Sequence, residues 1–106
     1  MIAAQEKADD MATAGYFAHV SPTGMSPWYW FARAGYRYQF AGENLAVGFD
    51  DASSTEAAWM ASATHRANIL DPNYRDIGVA VSQGSYGGRK VLFVVEEFGS
   101  PLLSGP

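Results

Sequence analysis

The sequence contains no cysteine, and this absence excludes both disulfide bonds and thiolate metal sites. It has only seven lysine and arginine residues against eleven aspartate and glutamate residues, which gives a formal net charge of -4. The basic residues are scattered and form no basic stripe, so nucleic-acid binding and electrostatic attachment to anionic lipid are not expected. No apolar run approaches the roughly 20 residues of a membrane-spanning helix, and the sequence shows no signal peptide.

What the sequence does contain is enough for one folded domain. Its 106 residues fall within the usual range of about 100–150 residues for a single domain. Hydrophobic residues make up 48% of the chain and aromatic residues 14%, which is sufficient for a real core. We therefore expect one domain over residues 1–106, and a monomer. The first helix begins without a capping signal, which suggests an N-terminus that has been trimmed.

Two helices are predicted in the first third of the chain. Met1 to Ala14 has helical composition and apolar spacing, and Gly15 is a plausible C-terminal stop. Ser26-Pro27 opens a second helix, with serine as the N-cap and proline at the first helical position, and Gly35 ends it. Four consecutive aromatic residues, 28–31, lie in this helix. We expect them to pack on both sides of a thin domain, which is favoured over a ligand platform.

The stretch from Ser53 to Ile77 predicts a helix, a break and a second short helix. Ser53 and Glu56 stand in the S-x-x-E relation of a capping box, which predicts the start of the first of these. Thr64 is the predicted cap of the second helix. Asp71-Pro72 should end it, because a proline disfavours helical conformation in the residue before it.

Two strands are predicted near the end of the chain, over residues 76–83 and 89–98. The first alternates apolar and small residues, and the second is apolar on both faces, as in a strand covered on both sides. Gly84, Gly87 and Gly88 mark the hairpin loop between them. Because Glu96 and Glu97 are adjacent, only one of them can face a given pocket. Helices combined with a hairpin predict an α+β fold in which helices cover an antiparallel sheet.

The candidate chemistry rests on the only two histidines and one carboxylate. His19 and His65 each lie in a motif-like stretch rather than in a periodic core segment. Glu43 lies between small and apolar residues, so we expect it to be half-buried and to have a partner. Two imidazoles and a carboxylate make a three-ligand zinc set with an open position. The same residues could serve as an acid/base cluster without metal.

Four stretches of the sequence together resemble one family. GYFAHVSPTG, AGENLAVG, AAWMASATHRANILDPNYRDIGVAV and VVEEFG are similar to the bacterial branch of the CAP superfamily of cysteine-rich secretory, antigen 5 and pathogenesis-related 1 proteins. The four motifs occur in the family's order and cover the chain from about Ala8 to Gly99. The resemblance implies a three-layer α-β-α sandwich with a central, mainly antiparallel sheet and a shallow cleft.

The resemblance also implies which residues form that cleft. By motif position, His19 and His65 correspond to the two cleft histidines and Glu43 to the glutamate of the GEN motif. Ser62 stands where many eukaryotic members have a fourth cleft residue, a glutamate, so the acidic set is incomplete. Glu96 stands where the family usually has glutamine, and either replaces the missing acid or lines the wall.

Three polar residues are expected to support the cleft rather than to do chemistry. Asn44 and Asn68 should fix the segments around the site. Arg66 should pair with an acid and so hold the shape of the cleft. The missing fourth acid weighs against an enzyme, since no well-placed pair of base and nucleophile can be named.

For function, the resemblance favours a secreted or cell-envelope binding module whose His/Glu cleft can hold a divalent metal, with zinc as the first choice. Its partner would be an extracellular ligand or protein, such as cell wall or lipid. Imidazole must be neutral to bind metal, so binding should weaken in mildly acidic solution. Two alternatives stay open: a metal- or His/Glu-dependent hydrolase of peptide or cell-wall polymer, and a carrier of lipid or sterol that uses the aromatic helix.

Overall fold

The computed structural model describes residues 2–102 of the chain. Met1, predicted to begin the first helix, and residues 103–106 of the predicted domain lie outside the described residues. The described part forms four helices and three strands. In chain order they are α1 (Ile2–Ala14), α2 (Pro27–Arg33), β1 (Tyr38–Val47), α3 (Ala52–Ala61), α4 (Ala63–Leu70), β2 (Asp76–Tyr86) and β3 (Arg89–Pro101).

The three strands form one antiparallel sheet in the order β1-β3-β2. The predicted β2–β3 hairpin is confirmed, and both strands are longer than predicted. Its turn is Gly87-Gly88, where both residues have positive φ (61° and 76°), as the tight turns of hairpins require. Gly84 lies inside β2 rather than in the loop. A Cβ there would lie 2.6 Å from the Ala12 carbonyl oxygen of α1, so glycine lets the helix approach the sheet.

Strand β1 is the one element of the sheet that the sequence did not predict. Its middle contains Gly42, Glu43 and Asn44, residue types that are depleted in strands. In the structure, residues 42–46 are all buried, so both faces of the strand are covered. Pairing with β3 and cover from both layers therefore override the weak local preference.

Helices lie on both faces of the sheet, which confirms the α+β, three-layer α-β-α architecture. On one face α1 packs against β2 and β3, and α2 packs against α1. The main core forms between α1 and this face and includes Ala8, Met11, Phe93 and Val95. On the other face α4 packs against β1. Adjacent residues of β3 alternate between the two layers, so each layer receives one of its two glutamates.

The ends of α3 and α4 differ from those predicted. Asp51 is the N-cap of α3, and its side chain accepts a hydrogen bond from the Ser54 backbone N–H at 2.7 Å. The proposed capping box of Ser53 and Glu56 is therefore wrong, because a better-placed acceptor precedes it. Helix α4 begins at residue 63 after Ser62, and not at a Thr64 cap. The predicted end before Asp71-Pro72 is confirmed.

The aromatic residues of α2 mostly serve the core. Trp30 and Phe31 are buried. Trp28 is partly exposed and packs on Phe31 and Tyr38, with ring centroids 5.9 and 6.0 Å apart. The two buried aromatic residues of α2 lie in one core cluster, so packing on both sides of the domain stays a prediction.

Candidate functional site

A cleft opens along the free edge of β1, where the two helical layers meet. It has a volume of about 480 Å³ and lies between the loop that follows α1 and the helices α3 and α4. His19 enters it from the loop, and Ser62 and His65 enter it from the start of α4. The walls are mainly apolar and include Leu45 and Trp59. The fold therefore brings the two predicted histidines into one cleft from opposite layers of the sandwich.

The first histidine is held by the predicted carboxylate. His19 Nδ1 lies 2.7 Å from Glu43 Oε1. The His19 side chain is exposed, whereas that of Glu43 is only 2% exposed. Glu43 therefore has the partner expected of it but is more deeply buried than predicted. An ionised carboxylate only accepts, so it favours the tautomer with the proton on Nδ1 and leaves His19 Nε2 as a free acceptor.

The loop that carries His19 is anchored by a lysine that sequence reasoning missed. Lys7 of α1 is fully buried, and its ammonium donates to the carbonyl oxygens of Ala18 and His19 at 2.9 and 3.0 Å. It also donates to the hydroxyl of Tyr16 at 3.2 Å, so all three donors of an ammonium are used. Burial lowers the pKa of Lys7, and nearby carboxylates, Glu43 foremost, oppose that shift.

A helical projection could have revealed Lys7, because it stands among the buried positions of α1. The small and apolar residues that share this face are Ala3, Ala4, Ala8 and Met11. A lysine on such a face either extends to solvent or has a buried partner. Here the partners come from the loop of residues 16–19 and could not be read from local sequence.

Glu97 is the second functional candidate that was missed. It lies directly opposite Glu43 in the β1–β3 pair and is fully buried. Glu43 Oε2 and both Glu97 oxygens have no hydrogen-bond donor among the described residues. Burial and the neighbouring Glu43 raise the pKa of Glu97 far above its ordinary value. Burial beside Glu43 therefore favours the protonated form of Glu97.

The second histidine is oriented by its own helix start. His65 Nδ1 lies 2.8 Å from Ser62 Oγ, and the His65 backbone oxygen accepts from Asn44 Nδ2 at 3.1 Å. Asn68 Nδ2 in turn donates to Asn44 Oδ1 at 2.9 Å and to the Glu43 carbonyl oxygen at 3.2 Å. The two asparagines thus tie α4 to β1, in agreement with their expected supporting role.

Two predicted cleft residues lie elsewhere. Glu96 accepts a hydrogen bond from Asn44 at 3.2 Å and faces the α3/α4 layer, where it lines a separate groove rather than the histidine cleft. Arg66 is exposed and donates to the Met60 carbonyl oxygen at 3.1 Å instead of pairing with an acid. The reason is its position on α4, which turns the side chain back over the end of α3.

The cleft offers a metal two imidazole donors, which is fewer than the three or four protein ligands of a usual zinc site. Within residues 2–102, no three His, Cys, Asp or Glu side chains are grouped so that they could hold a metal ion. Glu43 bonds to His19 instead of standing beside it as a further ligand. A carboxylate in that position is the usual outer partner of a metal-binding histidine. Zinc binding thus stays a prediction, with His19 and His65 as its protein donors.

The cleft and fold agree with the match to a family of known proteins. The family model described as "CAP: Cysteine-rich secretory protein family" matches residues 1–98. The chain belongs to the CAP family. Unlike the cysteine-rich proteins after which the family is named, this chain contains no cysteine.

Relatives of this CAP domain occur in Bacillus subtilis (strain 168). The chain is 45% identical over 83 residues to the uncharacterized protein YkwD, with 77% of the chain matched and 32% of YkwD. It is 32% identical over 78 residues to the uncharacterized membrane protein YlbC, with 74% of the chain matched and 22% of YlbC. The chain thus spans about a third or less of either relative.

Two solved structures share the fold. One is an extracellular protein with an SCP domain from Bacillus anthracis, with a TM-score of 0.77 and 30% identity, over 92% of this chain and 30% of that one. The other is an outer surface protein from Borrelia burgdorferi, with a TM-score of 0.80 and 19% identity, over 94% of this chain and 71% of that one. Among residues 2–102, no helix has the length and apolar character needed to cross a membrane.

Proposed function

We propose that this CAP domain is an extracellular binding module, and that its cleft binds a divalent metal or a polar ligand group through His19 and His65. The observation that carries this proposal is the hydrogen bonding of the two imidazole rings. Each is held at Nδ1, by Glu43 or by Ser62, and neither Nε2 has a hydrogen-bond partner within residues 2–102. Two oriented imidazoles with free nitrogens suit zinc and leave further positions for a ligand's own donors.

The extracellular location rests on similar proteins. The Bacillus anthracis neighbour is described as extracellular and the Borrelia burgdorferi neighbour as an outer surface protein. The apolar cleft walls of Leu45 and Trp59 would contact the non-polar part of the ligand. A small cell-surface ligand with both polar and apolar groups would fit the two histidines and the apolar walls of the cleft.

The test is a calorimetric titration of the domain with zinc chloride at pH 7.5, beside the His19→Ala, His65→Ala double variant. We expect saturable one-to-one binding that the double variant loses. Glu43→Gln should weaken it about tenfold, because outer partners of ligating histidines typically contribute that much. No binding by the wild type, or equal binding by the double variant, would refute the metal part of the proposal.

A hydrolase is the second candidate, and the contact between Ser62 and His65 favours it. A hydroxyl 2.8 Å from an imidazole nitrogen is the geometry of a nucleophile and its base. However, His65 has no third group on its other nitrogen among the described residues, and such a group usually orients the base. A screen against peptides and cell-wall polymer, with Ser62→Ala as the control, tests this candidate. Activity that survives Ser62→Ala would exclude Ser62 as the nucleophile.

A further inference from the structure

A second groove lies between α3 and the half of the sheet that the α3/α4 layer leaves uncovered. Its volume is about 220 Å³. Val79 and Val81 of the outer strand β2 form one apolar wall and are 59% and 49% exposed. Trp59 forms the other wall and separates this groove from the histidine cleft. Small-molecule sites usually measure about 300–1,000 Å³, so a groove of this size suits a side chain presented by a partner.

A buried carboxylate faces this groove without a cation. Glu96 is only 5% exposed and lines the groove. Its Oε1 accepts from Asn44, while its Oε2 has no hydrogen-bond donor within residues 2–102. Glu56 adds a second carboxylate from the exposed side of α3, and no lysine or arginine lines the groove. The third acid, Asp51, is already engaged in capping α3.

Glu96 lacks the partners that would offset the cost of removing its carboxylate from water. A carboxylate removed from water needs a partner charge or several hydrogen bonds to offset its desolvation. Glu96 has one hydrogen bond, and burial raises its pKa to about 7, with a smaller contribution from Glu56. A cation that entered the groove would stabilise the ionised form, and apolar atoms beside that cation would cover the exposed valines.

We propose that the groove binds a lysine side chain that a partner peptide presents between apolar residues. The ammonium would contact Glu96 and Glu56, and the apolar neighbours would pack on Val79, Val81 and Trp59. Charge complementarity selects this occupant over a purely apolar one. This site is separate from the histidine cleft and does not depend on the function proposed for it.

The probe is a capped peptide of sequence Ala-Leu-Lys-Leu-Ala, compared with a matched peptide that has norleucine in place of lysine. Backbone amide NMR of the full chain would follow both titrations. We expect the lysine peptide to shift the amides of Val79 and Val81 and to bind about tenfold more tightly than its norleucine analogue, since a desolvated charge pair is commonly worth that factor or more.

Three variants make the test specific. Glu96→Gln and Glu56→Gln should each reduce the affinity for the lysine peptide and leave that for the norleucine peptide nearly unchanged. Glu56 is exposed on α3, so its variant remains informative if Glu96→Gln disturbs the fold. Glu6→Gln makes the same chemical change on α1, where Glu6 pairs with Arg33 outside the groove, and should bind as the wild type does.

The proposal is overturned by equal affinity for the two peptides, by wild-type binding of both groove variants, or by shifts confined to other surfaces. A concentration-dependent dimer that shifts the same amides without peptide would also overturn it, because a second copy of the chain would then occupy this face.

Discussion

The two faces of the sheet are covered to very different extents. On the first, α1 lies close over β2 and β3, and the side chains of Phe93 and Val95 are fully buried. On the second, α4 packs against β1, and the side chains of Val79 and Val81 on β2 remain about half exposed. The first face therefore holds the fold together, whereas the second has surface available for binding.

The difference also explains where the histidine cleft lies. On the first face, Lys7 of α1 anchors the loop that carries His19, and Glu43 of β1 holds the His19 ring. The second layer contributes His65 on α4. The cleft forms at the edge of β1, where the closely packed layer and the more open layer meet, and each of them supplies one imidazole.

Removing the buried cation of the first face should have the largest effect. Lys7→Met leaves the Tyr16 hydroxyl and two loop carbonyl oxygens without their donor and removes a cation near Glu43, and we expect the free energy of unfolding to fall by about 3 kcal/mol. Lys90→Met, at an exposed hairpin position, is the matched control and should change it by less than about 0.5 kcal/mol. Urea denaturation measures both. Equal effects of the two variants would contradict the buried role of Lys7.

The same substitution on the two faces compares their packing directly. Val95→Ala should cost about 2–3 kcal/mol, because it removes fully buried methyl groups and leaves a cavity. Val79→Ala should cost less than about 1 kcal/mol, because that side chain is 59% exposed. Thermal and urea unfolding give both values. A Val79→Ala cost as large as that of Val95→Ala would mean that the second face is covered in solution.

How much of this could be predicted from sequence depends on how local the signal is. Gly87-Gly88 and Asp71-Pro72 act through their own backbone, and the turn and helix end that they predict are confirmed. Strand β1 was missed because its burial comes from layers far away in sequence. Lys7 and Glu97 were missed for the same reason, since each is defined by partners on another element. Motif resemblance located His19, Glu43 and His65, but not the hydrogen bond that joins Glu43 to His19.

The carboxylate of the second face should give a smaller, pH-dependent effect. Burial raises the pKa of Glu96 to about 7, so the folded state keeps its proton where the unfolded state has lost it. The free energy of unfolding should therefore fall by on the order of 2 kcal/mol as the pH rises from about 4.5 to 7. Glu96→Gln should lack this component, whereas Glu6→Gln should retain it. Urea denaturation across this pH range checks the difference, and identical profiles for all three proteins would count against it.

The most direct test of the central claim is long-range proton–nitrogen NMR of the two histidine rings at pH 7.5, with and without zinc chloride. We predict that His19 carries its proton on Nδ1, facing Glu43, and that zinc changes the Nε2 resonances of both His19 and His65. A His19 ring protonated on Nε2, or zinc that leaves both rings unchanged, would contradict a cleft built from two free imidazole nitrogens.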